Sequence, residues 1–196
     1  MVTLVLGLVL FLGAHSVRVF ADGWRTAMVA RVGEKAWKGG YAVVAIVGFG
    51  LILWGFSLAR HDPVVLWPQP PTAVRHVAAL LVLIAFVLLV AAYVPGNQVK
   101  AWVHHPMVLG VKLWAFAHLI ANNTLADLVL FGAFLLWAVL DFRASRRRDR
   151  AEGTVYPAGR PSRTAVTVVV GVVAWAVFAF WLHASWIGVA PFGRSL

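Results

Sequence analysis

The sequence predicts an all-α fold: a polytopic membrane bundle of six transmembrane helices, forming a single domain over residues 1–196. Of its 196 residues 62% are hydrophobic and only 12% are charged, and the mean hydropathy is +0.85. These values are far too apolar for a soluble domain of this length. The apolar residues form six runs of helical length, and no polar segment between them is long enough to fold a domain. The lipid bilayer is therefore the predicted surrounding.

The predicted helices follow one another with short connections. A polar segment at 22–40 separates the first two, and several prolines exclude a helix in the connection after the second. Pro95-Gly96-Asn97 is a turn signal, and Pro106 suits the first turn of the fourth helix. A loop at 143–163, rich in arginine, precedes the last helix. The predicted spans are about 2–20, 41–59, 73–94, 106–122, 125–142 and 164–183.

The net charge of +10 reports topology and not a nucleic-acid ligand, because the Lys and Arg residues cluster in short loops. The first, third and fifth loops carry most of them, including the 143–163 cluster, whereas Arg60 and Arg194 are nearly alone on the other side. By the positive-inside rule, we expect a multi-pass protein of the inner (plasma) membrane with both termini outside and the 143–163 loop in the cytoplasm.

Two histidines are predicted to lie in mid-membrane on different helices. By helical rise, His15 is about 20 Å below the outer face and His118 about 18 Å above the inner face, a level difference of only ~8 Å. Ionisable residues inside a span are rare and often functional, which also makes Lys112 notable. His61, His104, His105 and His183 are predicted to be interfacial polar residues. The structural alternative is that His118 only forms a hydrogen bond to a neighbouring helix.

Metal binding is the more specific interpretation of two histidines in mid-membrane. The chain has no cysteine, so His is its only strong ligand for a soft or borderline metal. An apolar porphyrin suits hydrocarbon surroundings, which favours haem b held by two neutral imidazoles. On the face of His118, Trp114 lies one turn away and the adjacent Ala115 and Ala121 leave room for a flat group.

The motifs around these histidines resemble a known family. Ala14-His15-Ser16 and the pattern HP-x3-G-x3-W-x3-H, from His105 to His118, are similar to the NnrU family and to its relative 15-cis-ζ-carotene isomerase. The resemblance covers nearly the whole chain and implies a six-helix membrane protein with haem b. It implies His15 and His118 as the iron ligands, and either a haem-dependent cis–trans isomerase acting on a polyene or another apolar small molecule, or a redox or nitric-oxide-linked protein of denitrification.

One position departs from the isomerase pattern. The isomerase has a Cys three residues before the second His, associated with a redox-linked change of ligand, and here that position is Ala115. This puts such a ligand exchange in doubt.

Two alternative functions remain open. The His105-Pro106 pair is also similar to intramembrane isoprenylcysteine and phospholipid methyltransferases that bind S-adenosylmethionine, although His104 replaces their Arg and their acidic pair is missing. A cofactor-free membrane assembly subunit is the other alternative, in which Lys112 and His118 would only join helices.

The propionates of a haem need cationic partners, because carboxylates are costly in hydrocarbon. Arg18, one turn inward of His15, and Lys112, nearly two turns inward of His118, are the predicted partners. They would place the propionates on the cytoplasmic side. Arg75 with His76 is the alternative and would place them outside.

Overall fold

The structure is a computed structural model that describes residues 1–192. Within that range it is helical, without a β-strand. The last α-helix continues directly into a π-helical segment, Phe178–Ile187. The α-helices are α1 (Val2–Phe20), α2 (Asp22–Val32), α3 (Glu34–His61), α4 (Thr72–Tyr93), α5 (Gln98–Val103), α6 (Pro106–Ala121), α7 (Leu125–Glu152) and α8 (Pro161–Val177).

The predicted all-α fold is confirmed for the described residues, and five of the helices are candidate membrane spans. By length and composition, α1, α3, α4, α7 and α8 with its π-helical continuation are each able to cross a membrane. The remaining long apolar helix, α6, has 16 residues and is shorter than a typical span. The chain is thus an integral membrane protein built from antiparallel and parallel helices.

Several predicted boundaries are wrong where charged residues begin. The predicted polar segment 22–40 contains α2 and the first turns of α3, and the predicted loop 143–163 is helical up to Glu152. A drop in hydropathy marks the end of the apolar run and not the end of backbone hydrogen bonding, and Arg, Ala and Glu are good helix formers. The α7 helix ends instead at Gly153, whose φ of 61° gives a left-handed C-cap.

The long helices pack in the order α3, α1, α7, α6, α4, α8. Ring contacts set their directions. Phe11 of α1 lies 5.8 Å from Phe134 of α7, and His15 lies 5.9 Å from Trp137, so α1 and α7 run parallel. Trp114 of α6 lies 5.5 Å from Phe134, and α6 runs antiparallel to α7. The middle of the protein is therefore α7, with α1 and α6 on either side.

Glycines allow α1 and α3 to pack backbone against backbone. A Cβ on Gly48 would lie 2.7 Å from the backbone nitrogen of Phe11, and a Cβ on Gly7 would lie 2.6 Å from that of Ile52. Gly55 meets the backbone of Leu4 in the same way. Close approach of this kind is the usual use of small residues between membrane helices. It fixes the height of α1, and so of His15, against α3.

The connection between α3 and α4 folds over the ends of α6 and α7. Leu66 N donates to Asn123 O at 2.9 Å, and Leu125 N donates to Val64 O at 2.8 Å. The amide of Asn123 also donates to Trp67 O at 2.8 Å. These bonds satisfy backbone groups that two helix ends leave without partners. They cover this end of the bundle close to His118.

Candidate functional site

His15 sits half-buried in an aromatic environment on α1. Its Nδ1 lies 2.7 Å from the carbonyl oxygen of Phe11, one turn earlier. A carbonyl only accepts, so Nδ1 carries the proton, and the neutral ring leaves a lone pair on Nε2. The ring of Phe11 lies 4.2 Å away, that of Tyr41 5.3 Å and that of Trp137 5.9 Å, centroid to centroid. His15 is thus oriented by its own helix, with Nε2 free to bind.

His118 on α6 has the same local arrangement. Its Nδ1 lies 2.8 Å from the carbonyl oxygen of Trp114, again one turn earlier, so its Nε2 also carries the lone pair in the neutral ring. Phe131 of α7 stacks on the imidazole at 4.6 Å. The backbone oxygen of His118 also accepts from the amide of Asn122 at 2.8 Å. Hydrogen bonding of one ring nitrogen to a carbonyl is typical of histidines that bind metals through the other nitrogen.

The two histidines lie at similar but not equal depths. His15 packs beside Trp137 and His118 beside Phe131, which are six residues apart on α7, so their levels differ by about 9 Å at the helical rise. This agrees with the offset expected from the sequence. However, no Cα atom of α1 lies within 8 Å of one in α6. The rings of Phe11, Phe134 and Trp114 form a chain of contacts between the two imidazoles.

The donor chemistry of this pair fits an iron porphyrin, because each imidazole presents an Nε2 in aromatic surroundings. The structure does not bring the two Nε2 atoms together, since Phe134 and Trp114 lie between the helices that carry them. Among residues 1–192 there is no cluster of three or more His, Asp or Glu side chains that could hold a bare metal ion.

The other predicted cofactor residues lie in different surroundings. Trp114 is central, because its ring contacts those of His118, Phe131 and Phe134. Lys112 places its Nζ 5.6 Å from the ring centroid of Phe142, a cation–π contact. The side chain of Arg18 is 57% exposed and its Nε lies 3.9 Å from a carboxylate oxygen of Asp22. Arg18 is thus already paired at the end of α1.

A cavity of about 180 Å³, here called the His118 cavity, opens beside His118 between α4, α6 and the π-helical segment. Its walls are mostly apolar and include Trp114, Phe86 and Trp175. Arg75 and His183 also line it, which the sequence did not predict. His183, expected to be interfacial, has its Nδ1 2.6 Å from Val189 O. The wide π-helical turn, a feature without a sequence signal, carries it there.

A second polar cluster joins α6 to the far end of α7. His105 Nε2 lies 2.8 Å from Asp149 Oδ2, and the Tyr156 hydroxyl donates to the same carboxylate at 3.2 Å. Arg146 lies 3.5 Å from Asp149 and also contacts His104 Nδ1. Burial and the Asp149 carboxylate raise the pKa of the Tyr156 hydroxyl, which therefore stays protonated at neutral pH.

This cluster was missed from the sequence, where His104 and His105 were expected to be interfacial and Asp149 to lie in a loop. His104 adopts a φ of 66° and a ψ of −49°, the rare and strained conformation of a γ-turn, closed by a hydrogen bond from His105 N to Val103 O at 2.8 Å. Its ring stacks on that of Tyr156 at 4.1 Å. The cluster thus stabilises the strained turn that precedes α6, and with it the position of His118 relative to α7.

The fold and these half-buried histidines define the class: a multi-helix integral membrane protein with oriented imidazoles among aromatic side chains. Comparison with known families is more specific. The family profile described as NnrU protein matches residues 3–191, nearly the whole chain, and the protein therefore belongs to the NnrU family. No curated protein and no solved structure matches it.

Proposed function

We propose that this NnrU-family protein binds haem b, with His15 and His118 as the axial ligands. The observation that carries the proposal is the shared arrangement of the two imidazoles: each gives its Nδ1 proton to a carbonyl of its own helix and keeps Nε2 for a ligand. A purely structural role for these two hydrogen bonds would not explain why both imidazoles also face aromatic side chains of α7.

The residues around the pair support a flat apolar cofactor. Phe134 and Trp114 lie in the chain of ring contacts between α1 and α6. A macrocycle bound by both imidazoles would require these two side chains to change rotamer. Their rings would then cover the faces of the macrocycle and exclude water. When bound, the iron would supply one-electron chemistry, and with an imidazole at each axial position it would have no open site for a diatomic ligand. Ala115, which is fully buried, leaves no thiol to replace His118.

Of the redox and nitric-oxide-linked roles, electron transfer is therefore the better supported one. A cis–trans isomerase is the second candidate, and the apolar His118 cavity favours it because a polyene needs such walls. The methyltransferase alternative has less support, because His105, which that motif uses, is bound to Asp149 and Tyr156. The assembly-subunit alternative leaves the free Nε2 atoms without a role.

Purified protein is expected to show a Soret band that shifts and sharpens on reduction with dithionite, as six-coordinate haem with two imidazole ligands does. The measurement is a visible spectrum with and without reductant, with S-adenosylmethionine binding measured on the same sample. A colourless, folded preparation from haem-supplied cells would contradict the haem proposal. Binding of S-adenosylmethionine by such a preparation would favour the methyltransferase.

We further propose six membrane crossings, with α6 as the fourth. The α6 helix packs against α4 and α7 and runs antiparallel to α7. The start of α7 is bound to the connection between α3 and α4, at the end of the bundle where α4 begins. The arginines at the end of α7, from Arg143 to Arg150, support a cytoplasmic location for that end in the inner membrane.

Reporter fusions test this topology. A cytoplasmic reporter is expected to be active after Gly153 and after Gly96, and a periplasmic reporter at the N-terminus, after Asn123 and at the C-terminus. Activity of the cytoplasmic reporter after Asn123 would show that α6 does not cross and that the level argument for His15 and His118 is wrong.

A further inference from the structure

The His118 cavity has a chemical character that the proposed haem ligation does not account for. Arg75 enters from α4, His118 from α6 and His183 from the π-helical segment. No Asp or Glu of the described chain lines the cavity. Its charged and ionisable groups are thus all basic, while most of its wall is alanine and aromatic carbon.

Two hydrogen-bond donors in its wall lack a partner. Among residues 1–192, three buried side-chain nitrogens have no hydrogen-bond acceptor, and two of them, Arg75 Nε and Trp175 Nε1, belong to residues of this cavity. Leaving a buried donor without a partner costs about 1–3 kcal/mol, and more for a charged group. Such groups in a native protein call for an explanation, and a ligand is one.

The contacts of Arg75 suit an anion-binding site. Its Nη2 donates to Thr72 Oγ1 at 3.1 Å, which holds the guanidinium at the first turn of α4, and its Nε is left buried. A guanidinium presents donors in a fixed fork that matches a carboxylate. The first turn of a helix also carries partial positive charge, which favours an anion.

We propose that the His118 cavity binds the carboxylate of an apolar molecule, with Arg75 as the anchor. The apolar body of the ligand lies along the wall formed by Phe86, Trp114 and Ala117, and the head group lies at the Arg75 end. The carboxylate supplies the acceptor that the buried Arg75 Nε lacks. No other described cavity combines these groups.

The proposed carboxylate has two candidate sources: the propionates of haem, or the head group of a free fatty acid. The first rests on the proposed haem function and places the propionates toward Arg75, on the side opposite to the predicted partners Arg18 and Lys112. The second is independent of haem. The experiment below has one arm for each source.

In the first arm, Arg75→Leu, Arg18→Leu and Arg31→Leu proteins are purified in neutral detergent and their haem content per protein is measured by the pyridine haemochrome spectrum. Arg31, exposed on α2, is the matched control. If haem is the ligand, we expect Arg75→Leu alone to lose most of its haem, and Arg75→Lys to keep an intermediate amount. Loss with Arg18→Leu and none with Arg75→Leu would overturn this arm.

In the second arm, the haem-free protein is titrated with palmitate and with methyl palmitate, which lacks the charge. If a fatty acid is the ligand, palmitate should bind the unmodified protein about ten- to a hundredfold more tightly than its ester, and Arg75→Leu should remove that difference. Because the ester comparison needs no variant, it stands even if Arg75→Leu fails to fold. Equal binding of acid and ester, together with unchanged haem in Arg75→Leu, overturns the proposal. A protein that never holds haem but discriminates acid from ester would refute the haem function and keep this site.

Discussion

Alanine in place of His118 is expected to abolish the Soret band of the purified protein or reduce it to a small fraction, and alanine in place of His15 is expected to do the same. Each change removes an Nε2 whose orientation is fixed by a hydrogen bond to a helix carbonyl. Without one axial ligand, the cofactor loses one of its two bonds to the chain, and haem b has no covalent link to replace it. The measurement is the ratio of Soret to protein absorbance.

The matched control is His61→Ala, because His61 is exposed at the end of α3. Its spectrum should be unchanged. To separate lost coordination from lost folding, imidazole is added to His118→Ala cells during expression, since a free imidazole that fits the vacated space restores the band only if the fold persists. Intact spectra in both single variants would refute the assignment of His15 and His118 as ligands.

Leucine in place of Gly48 is expected to lower the stability of the folded protein by about 3 kcal/mol or more, at the upper end of what overpacking a helix contact costs. The new Cβ alone would lie 2.7 Å from the backbone nitrogen of Phe11, and backbone atoms of a helix do not move aside as a flexible side chain does. Separating α1 from α3 also shifts His15. We therefore expect both a lower melting temperature in detergent and a lower haem content.

Gly50→Leu is the control on the same helix, two residues along. Nothing lies within 4 Å of a Cβ built on Gly50, and the residue is exposed, so leucine there faces lipid. Its higher helix propensity should leave stability unchanged or slightly raised. Equal melting temperatures for the two variants would mean that the close contact between α1 and α3 does not contribute to stability.

The spans that are uniformly apolar were predictable from the sequence, because hydrocarbon length and backbone satisfaction leave few alternatives. The predicted first helix, about 2–20, coincides with α1, and the levels of His15 and His118 follow from rise per residue alone. Helical continuation past Phe142 was not predictable from hydropathy, since Arg-rich sequence remains helical when a capping glycine is farther on.

Contacts between residues that are far apart in the sequence could not be predicted from it. Asp149 meets His105 across 44 residues, and nothing in the local pattern of either residue indicates the other. The position of His183 in the His118 cavity depends on a π-helical turn, which widens the backbone without a characteristic composition. From the sequence, Arg75 was only the alternative partner of the haem propionates, because its depth could be predicted and its neighbours could not.

The brevity of α6 has a consequence for the membrane itself. Sixteen residues rise about 24 Å, some 6 Å less than a hydrocarbon core of about 30 Å. Met107 and Phe116 are exposed on this helix, so part of it touches lipid. If α6 crosses the bilayer as proposed, the lipids beside it must shorten or tilt to avoid leaving polar helix ends in hydrocarbon, at a cost of fractions of a kcal/mol per ångström of mismatch. The protein should therefore be most stable in bilayers of shorter acyl chains, and should collect in the thinner regions of a mixed membrane.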